Sequence, residues 1–324
     1  MKAKSKELLK NTALFAISSF APKFLGFFLV PLYTAYLSTT EYGTFDLINV
    51  AVSLAFPLLS LTIRDAILRF CLDNKYQRKD CLNISLRIMG IDAIILAAVT
   101  LVQIVFHPLP IAREHIIFFS ILSLLHIASD IFCAYCKGSD RVKIIVISSV
   151  INTFSSLAFS FLFVAVFRMG LIGVLLSTTI GQILANATLL LFGRLFEDFS
   201  KTYSKLQMKE MLKYSAPIIL SAIAWWVNNA SDRYIIAAFL GVSASGIYAV
   251  SSKIPTVIAS LQNVFMQAWS ISAIKEYCRS QINGLRKDHL RSLNPTPYKV
   301  SLSDRLYEQL YAIRQNETPI ATIH

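Results

Sequence analysis

Apolar runs long enough to cross a lipid bilayer recur along most of this chain. A membrane-spanning helix needs about 20 mainly apolar residues, and 55% of the residues here are hydrophobic while only 15% are charged. An average soluble domain carries about 25% charged residues. The eight runs lie near residues 11–37, 44–63, 83–106, 115–136, 144–167, 171–193, 212–237 and 245–271. The sequence therefore predicts an all-α polytopic membrane helical bundle with about eight transmembrane helices.

Lysine and arginine are concentrated in every second loop between these runs. The loops assigned to the inside carry Lys2, Lys4, Lys6, Lys10, Arg64, Arg69, Lys75, Arg78, Lys79, Lys137, Arg141, Lys143, Arg194, Lys201, Lys205 and Lys209. The outside loops carry only Arg113 and Arg168. Because positive loops stay in the cytoplasm, we predict a cytoplasmic (inner) membrane protein with both termini inside. The same residues explain the net charge of +12, so no nucleic-acid partner is expected.

The short outside loops argue against an enzyme. None of them has room for a catalytic domain, and no phosphate-binding glycine loop, nucleophile elbow or HExxH zinc motif occurs. Cys133 and Cys136 share a helical face, but no second pair or histidine lies at zinc-ligand spacing. We therefore expect a protein that moves a substrate, with no catalytic residues, no metal site and no cofactor.

Lys213–Pro255 places polar residues where lipid would otherwise surround them. These residues are Ser221, Trp225, Asn228, Asn229, Asp232, Arg233 and Lys253. Ser221, Trp225, Asn228 and Asp232 recur at i, i+4, i+7 and i+11, which is one helical face. Asn229 and Arg233 widen this stripe. A charge inside a membrane is costly and normally faces a bundle interior or a water-filled cavity. The stripe therefore predicts an interior cavity.

Three further charges lie deep within predicted spans. Lys23 is about 20 Å from the inner surface at 1.5 Å per residue, which favours a cavity position over an anchoring role. Asp92 and Asp130 could titrate in ion coupling, or each could pair with a basic neighbour. Asp232 has the same two interpretations, because it could form a local ion pair with Arg233.

Small residues in the sixth run predict a close helix contact. Gly173, Ser177 and Gly181 recur at every fourth position. Such spacing lets two membrane helices approach each other closely. We therefore expect a helix-packing seam along this face.

An internal repeat links the start of the chain to its seventh run. Residues 10–50 align without gaps onto residues 213–253. The identical pairs are Lys10 with Lys213, Ala13 with Ala216, Ser18 with Ser221, Ala21 with Ala224, Ala35 with Ala238, Leu37 with Leu240, and Gly43 with Gly246. Parallel repeats related by an axis along the membrane normal are typical of transporters. The repeat therefore predicts a first six-helix bundle and the start of a second.

Three stretches within this repeat resemble a known family. They read LLKNTALFAISSFAPKFLGFFLVPLYTAYLSTTEYGTFDL, WWVNNASDRYII and GIYAVSSKIP. They are similar to bacterial O-antigen and polysaccharide flippases of the multidrug/oligosaccharidyl-lipid/polysaccharide exporter superfamily. The resemblance covers about Lys6–Tyr277. It implies two helical bundles around a central cavity, which move undecaprenyl-pyrophosphate-linked oligosaccharides to the outer leaflet by using ion gradients.

The resemblance assigns expected roles to the polar residues. Lys23, Arg233 and Lys253 would offset the charge of the pyrophosphate headgroup. Asn228, Asn229 and Trp225 would meet the sugar hydroxyls. The candidates for ion coupling are Asp92, Asp130 and Asp232. Expected partners are the lipid-linked oligosaccharide, membrane lipids, and the polymerase and assembly proteins of lipopolysaccharide or capsule synthesis.

The chain departs from the family after Tyr277, where apolar spans stop. We predict a first bundle over residues 1–200, the first two helices of a second bundle over residues 201–277, and a polar cytoplasmic tail over residues 278–324. The tail could be genuine, could follow a truncated gene, or could result from a frame shift. Packed bundles need their neighbouring helices, so we favour truncation or frame shift, either of which would impair transport.

Two other functions stay open. One is a multidrug or cation antiporter of the same superfamily, although deep lysines argue against an acidic, cation-binding cavity. The other is a non-transporting membrane scaffold of a polysaccharide assembly complex, the only role left to a truncated chain.

Overall fold

The computed structural model describes residues 29–73, 76–106, 112–200 and 203–253, together with residues 255, 258 and 262. All of these residues belong to one unit of the chain, Met1–Gln262. Every regular element within the described ranges is a helix, which confirms the predicted all-α architecture. Lys23 and the predicted tail, residues 278–324, lie outside the described residues, and the predicted division into bundles stays a prediction.

The described helices follow the predicted spans closely. Residues 29–36 are helical. The later helices are α1 (Thr39–Leu59), α2 (Ile63–Leu72), α3 (Arg78–Phe106), α4 (Arg113–Gly138), α5 (Val142–Ser160), α6 (Gly170–Phe192), α7 (Lys205–Leu240) and α8 (Val242–Ser251). A π-helical segment, Phe161–Val166, continues α5, and a 3₁₀ turn, Leu195–Asp198, precedes α7. Five described helices, namely α1, α3, α4, α5 with its π-helical segment, and α6, are long and apolar enough to cross a membrane.

Helix α2 lies between the predicted second span, which ends at residue 63, and the predicted third span, which begins at residue 83. Its apolar residues Ile63, Ile67 and Phe70 are buried, because their spacing places them on one helical face. The basic residues of α2 have other contacts. Arg64 forms an ion pair with Asp130 at 3.4 Å, and the guanidinium of Arg69 lies 4.4 Å from the ring centroid of Tyr214. The amphipathic pattern of α2 is too short to resemble a membrane span.

The largest described core joins α2, α3, α4, α6 and α7. Its fully buried side chains include Ile63, Ile67, Leu82, Ile84, Ile127, Ile131, Tyr135, Leu189, Leu195 and Met211. Each fully buried aliphatic side chain contributes about 1.5–3 kcal/mol relative to exposure to water. In a bilayer this free-energy gain applies only to side chains that would otherwise contact water. The lipid-embedded parts of the helices are held together by close packing instead.

The predicted small-residue seam of α6 is confirmed. A Cβ atom at Gly181 would overlap the hydroxyl of Ser156 on α5, and one at Gly173 would crowd Phe163. Ser177 forms a hydrogen bond with Ser160, whose oxygen lies 2.8 Å away. Only small residues at these positions allow α5 and α6 to approach this closely.

Two of the basic loops meet the 3₁₀ turn at one end of the described helices, as an alternating topology requires. There the carboxylate of Asp198 lies 3.5 Å from Lys79 Nζ and 3.5 Å from Arg141 Nη2. It also accepts a hydrogen bond from Tyr135 at 3.0 Å. At the other end Glu41 completes a capping box with Ser38 at the start of α1. Which end faces the cytoplasm stays a prediction.

Candidate functional site

Helices α1 and α8 cross at a pair of glycines. A Cβ atom at Gly43 would overlap the carbonyl oxygen of Val242, and one at Gly246 would overlap the carbonyl oxygen of Thr39. The internal repeat pairs Gly43 with Gly246 and residue 39 with residue 242. Each helix therefore makes with its partner the contact that the partner makes with it. Such reciprocity is expected of two repeats related by a two-fold axis.

An ion pair lies three residues from this crossing along α1. Asp46 Oδ2 lies 2.7 Å from Arg233 Nε on α7, and their side chains are only 9% and 17% exposed. Arg233 Nη2 also donates a hydrogen bond to Ser252 Oγ at 3.3 Å. The ion pair therefore joins α1 to α7 and to the C-terminal end of α8.

Two more charges belong to the same cluster. Lys253, half-buried just beyond α8, is close enough for its charge to act on both Asp46 and Arg233. Asp232 also acts on Asp46, and its carboxylate accepts a hydrogen bond from the Tyr248 hydroxyl. We call Asp46, Asp232, Arg233 and Lys253 the charge cluster. It holds two acids and two bases, so its formal charge is balanced.

Tyrosines surround the Asp46 side of the cluster. Tyr42 is buried and contacts Tyr33 edge-on, with ring centroids 6.4 Å apart. The Tyr33 hydroxyl lies 2.9 Å from Ser160 Oγ. On α7, the hydroxyl of Tyr234 donates a hydrogen bond to the carbonyl oxygen of Leu47 at 2.9 Å. These contacts tie the ion pair to both α5 and α7.

The sugar-binding residues predicted from the sequence lie on the exposed surface of α7. Trp225 is 67% exposed, and Asn228 and Asn229 are exposed on the same helix. Asn229 Nδ2 donates to the Trp225 carbonyl oxygen at 2.7 Å. Trp226 makes the contact between helices, because its indole nitrogen donates to the Val50 carbonyl oxygen at 3.1 Å. The role of the exposed stripe in lining an interior stays a prediction.

The three candidate ion-coupling residues have different surroundings. Asp92 is 2% exposed within α3, and its Oδ2 accepts no hydrogen bond from the described part of the chain. Asp130 has the basic neighbour Arg64 on α2. Asp232 does not form a side-chain ion pair with the adjacent Arg233 in the described structure, because the arginine reaches across to Asp46. The described residues include no group of three or more His, Cys, Asp or Glu that could hold a metal ion.

Asp46 is the site residue that sequence reasoning missed. The second span was predicted to begin near Thr44, which placed Asp46 at the membrane surface, where an acid needs no explanation. Helix α1 begins at Thr39 instead, so Asp46 lies about two turns inside it. The internal repeat could have drawn attention to Asp46, because it aligns this acid with the neutral Ala249.

An apolar groove runs along α1 beside the charge cluster. It consists of two adjoining cavities of about 540 and 570 Å³, which share Ala51, Phe119 and Tyr234. Helices α1 and α7 form two of its walls, and α3 and α4 contribute the others. The groove is therefore suited to hydrocarbon rather than to sugar.

Comparison with protein families gives two matches. The model of a family described as "Polysaccharide biosynthesis protein" matches residues 8–271. The model described as "Nicotinate phosphoribosyltransferase C-terminal domain" matches residues 253–310. The second match includes residues 278–310 of the predicted tail.

Curated relatives match only a short segment. "Nicotinate phosphoribosyltransferase 1" of Arabidopsis thaliana is 41% identical over 54 residues, which are 17% of this chain and 10% of that protein. "Nicotinate phosphoribosyltransferase" of Caenorhabditis elegans is 46% identical over 55 residues, again 17% of this chain and 10% of that protein. This chain therefore spans about a tenth of the length of these relatives.

Solved structures resemble the fold over a larger part of the chain. One is an inward-facing multidrug resistance MATE family transporter of the MOP superfamily, with a TM-score of 0.54 and 14% identity. It covers 74% of this chain, which covers 61% of it. A MATE structure in the bent conformation has a TM-score of 0.50 and 14% identity, with coverage of 81% and 70%. At sequence identities this low, the similarity shows a shared fold and nothing more specific.

Proposed function

Since the chain belongs to the polysaccharide biosynthesis protein family, whose model matches residues 8–271, we propose that it moves a lipid-linked oligosaccharide across the membrane. The proposed cargo is an undecaprenyl-pyrophosphate-linked oligosaccharide on its way to O-antigen, capsule or exopolysaccharide. The observation that carries the proposal is the pair of cations, Arg233 and Lys253, held beside the crossing of two repeat-related helices.

The two cations suit a pyrophosphate headgroup. Phosphate oxygens bind arginine through charge-assisted hydrogen bonds that are roughly twice as strong as neutral ones. Arg233 lies within α7 and Lys253 just beyond α8, two helices that pack together, and charge there is costly unless it is partnered. An anionic headgroup would provide such partners, and Lys23 is proposed as a third cation from the first span.

The apolar groove suggests where the prenyl chain would lie. The groove adjoins the charge cluster through Tyr234, which contacts α1 near Asp46. A flexible hydrocarbon chain in this groove would keep its headgroup near Arg233, and its far end would remain among membrane lipids. The exposed Trp225, Asn228 and Asn229 are proposed to meet the sugars.

Transport would proceed by rocking one repeat against the other. Repeats of this kind move largely as rigid bodies around a fixed site. The Gly43–Gly246 contact holds α1 and α8 together near their starts, so we propose that this contact opens when the site faces that side. The inner-membrane location, and the side on which the termini lie, are part of this proposal.

An antiporter of drugs or cations is the second candidate. The buried Asp92, which accepts no hydrogen bond at Oδ2 from the described residues, is the kind of acid that such an antiporter needs. One of the structural neighbours is itself a multidrug resistance transporter. A third candidate is a scaffold that transports nothing.

Reconstitution of the full chain in proteoliposomes would separate these functions. We expect translocation of a fluorescent prenyl-pyrophosphate-linked disaccharide, measured by loss of its accessibility to an added quencher, and no uptake of a cationic dye. Lys253→Gln should slow translocation about tenfold or more, because it removes one cation from the headgroup site. Lys209→Gln removes an exposed charge from α7 and should have no effect.

Each alternative has its own outcome in this assay. Uptake of the dye without the disaccharide would support the antiporter. Movement of neither compound, by a chain that elutes as a folded species, would support the scaffold. Equal rates for Lys253→Gln and Lys209→Gln would exclude Lys253 from the substrate site.

A further inference from the structure

The carboxylate of Asp46 contacts the same guanidinium, that of Arg233, which the proposed substrate would bind. The contact between Asp46 Oδ2 and Arg233 Nε is 2.7 Å long, and both side chains are largely buried. Arginine presents a single planar fork of donors. A phosphate oxygen that approaches Arg233 must therefore displace the carboxylate or share the fork with it.

The balance of charge around Asp46 makes sharing unfavourable. The charged groups that face it are Arg233, Asp232 and Lys253, and the tyrosines that face it are Tyr42 and Tyr234. With both acids ionised, the two cations are already neutralised. A pyrophosphate headgroup adds about two negative charges at neutral pH, and repulsion between like charges is strong where water is scarce.

The two acids of the cluster are not equivalent. Asp232 accepts hydrogen bonds from the Tyr248 hydroxyl and from the backbone nitrogen of Arg233, the latter at 2.9 Å. Neither bond depends on the position of the arginine side chain. Asp46 has the guanidinium of Arg233 as its nearest cationic partner, so loss of that contact leaves a buried and unpaired carboxylate. Such a group becomes neutral by binding a proton.

We propose that Asp46 is an internal competitor of the anionic headgroup and couples headgroup binding to proton uptake. The Asp46 carboxylate accepts one proton from solvent and becomes a neutral acid. Arg233 keeps its charge and turns its donors from Asp46 to the phosphate oxygens. The reverse exchange, on release of the headgroup, returns the proton. This inference rests on the proposed function and identifies Asp46 as the residue that links headgroup binding to protonation.

Binding of farnesyl pyrophosphate to the purified full chain tests this exchange. Asp46→Asn should bind this probe about tenfold more tightly than the wild type at pH 8, because the amide does not compete for Arg233. The advantage should shrink toward equality at pH 6, where Asp46 of the wild type takes up its proton more easily. Glu197→Gln neutralises another acid that pairs with an arginine, the exposed pair with Arg194, and it should bind like the wild type.

Calorimetry in two buffers with different ionisation enthalpies counts the protons directly. At pH 8 the probe has lost its own protons, since the second pKa of a phosphate lies near 6. The wild type should then take up about one proton for each molecule bound, and Asp46→Asn should take up fewer. Wild-type binding without proton uptake would overturn the inference even if Asp46→Asn did not fold.

The outcomes separate this inference from the proposed function. If Lys253→Gln weakens binding while Asp46→Asn changes neither affinity nor proton uptake, the headgroup site stands and the role of Asp46 is wrong. If Lys253→Gln and the wild type bind the probe equally, or neither binds it, the headgroup site fails and this inference fails with it.

Discussion

Helices α1 and α8 are equivalent in the internal repeat, and they share packing but not charge. Both present a glycine to the other at the same position, Gly43 on α1 and Gly246 on α8. Three residues later α1 carries Asp46, whereas α8 carries the fully buried Ala249. The contact between the two helices is thus symmetric, and the ion pair beside it is not.

The two helix starts differ in the same way. Ser38 precedes α1 and caps it with its hydroxyl, and Glu41 completes a capping box with Ser38. The equivalent position in α8 is Gly241, with a φ of 89° and no side-chain cap. Glu41 also accepts a hydrogen bond from the backbone nitrogen of Leu171 at 3.3 Å, which ties α1 to α6. The two helices therefore share the crossing, whereas the described hydrogen bond to α6 belongs to α1.

The largest effect should come from breaking the asymmetric ion pair. Arg233→Leu should lower the free energy of unfolding by about 3–5 kcal/mol, because it leaves the Asp46 carboxylate buried without its partner. Arg64→Leu breaks the more exposed pair with Asp130 and should cost less than about 1 kcal/mol. Denaturant unfolding of the purified chain, followed by circular dichroism, measures both.

A double variant separates loss of the partner from loss of packing. Arg233→Leu combined with Asp46→Leu should recover much of the lost stability, since neither charge then remains unpaired. No recovery would mean that the ion pair is not what joins α1 to α7.

Disrupting the symmetric glycine contact should lower stability by a smaller amount, and by the same amount from either helix. Gly43→Ala and Gly246→Ala should each destabilise the protein by about 1–3 kcal/mol, because each added Cβ meets a backbone carbonyl. Gly90→Ala is the matched control, since a Cβ there meets nothing within 4 Å. That change should be neutral or stabilising by up to about 1 kcal/mol. Unequal losses at Gly43 and Gly246 would contradict the reciprocal crossing.

The smallest effect should come from the helix start. Ser38→Ala should cost about 1 kcal/mol, because it removes the cap of α1. Ser243→Ala, near the uncapped start of α8, removes an exposed hydrogen bond with Thr39 and should cost less than about 0.5 kcal/mol. Thermal unfolding in detergent resolves the order. If Ser243→Ala lost more stability than Ser38→Ala, the start of α8 would contribute more to stability than the start of α1.

The basic residues of the sequence predicted which loops lie on the same side. Lys79, Arg141 and the segment around Asp198 were assigned to one side from their spacing, and the structure brings them into contact. Arg233 and Lys253 were chosen because charge within a span is costly, and both lie in the charge cluster. Trp225, Asn228 and Asn229 were chosen by helical periodicity. Periodicity places residues on one face but does not say what that face meets.

The sequence by itself determined the all-α membrane architecture, the limits of most helices, the small-residue seam of α6 and the repeat that pairs Gly43 with Gly246. These properties depend on local hydropathy and spacing, because a chain in lipid must satisfy its backbone hydrogen bonds within each helix. Only the tertiary structure decided that Arg233 pairs with Asp46 rather than with the adjacent Asp232. A partner distant along the chain depends on how helices cross and on how deep each helix begins, and neither property is encoded in a single span.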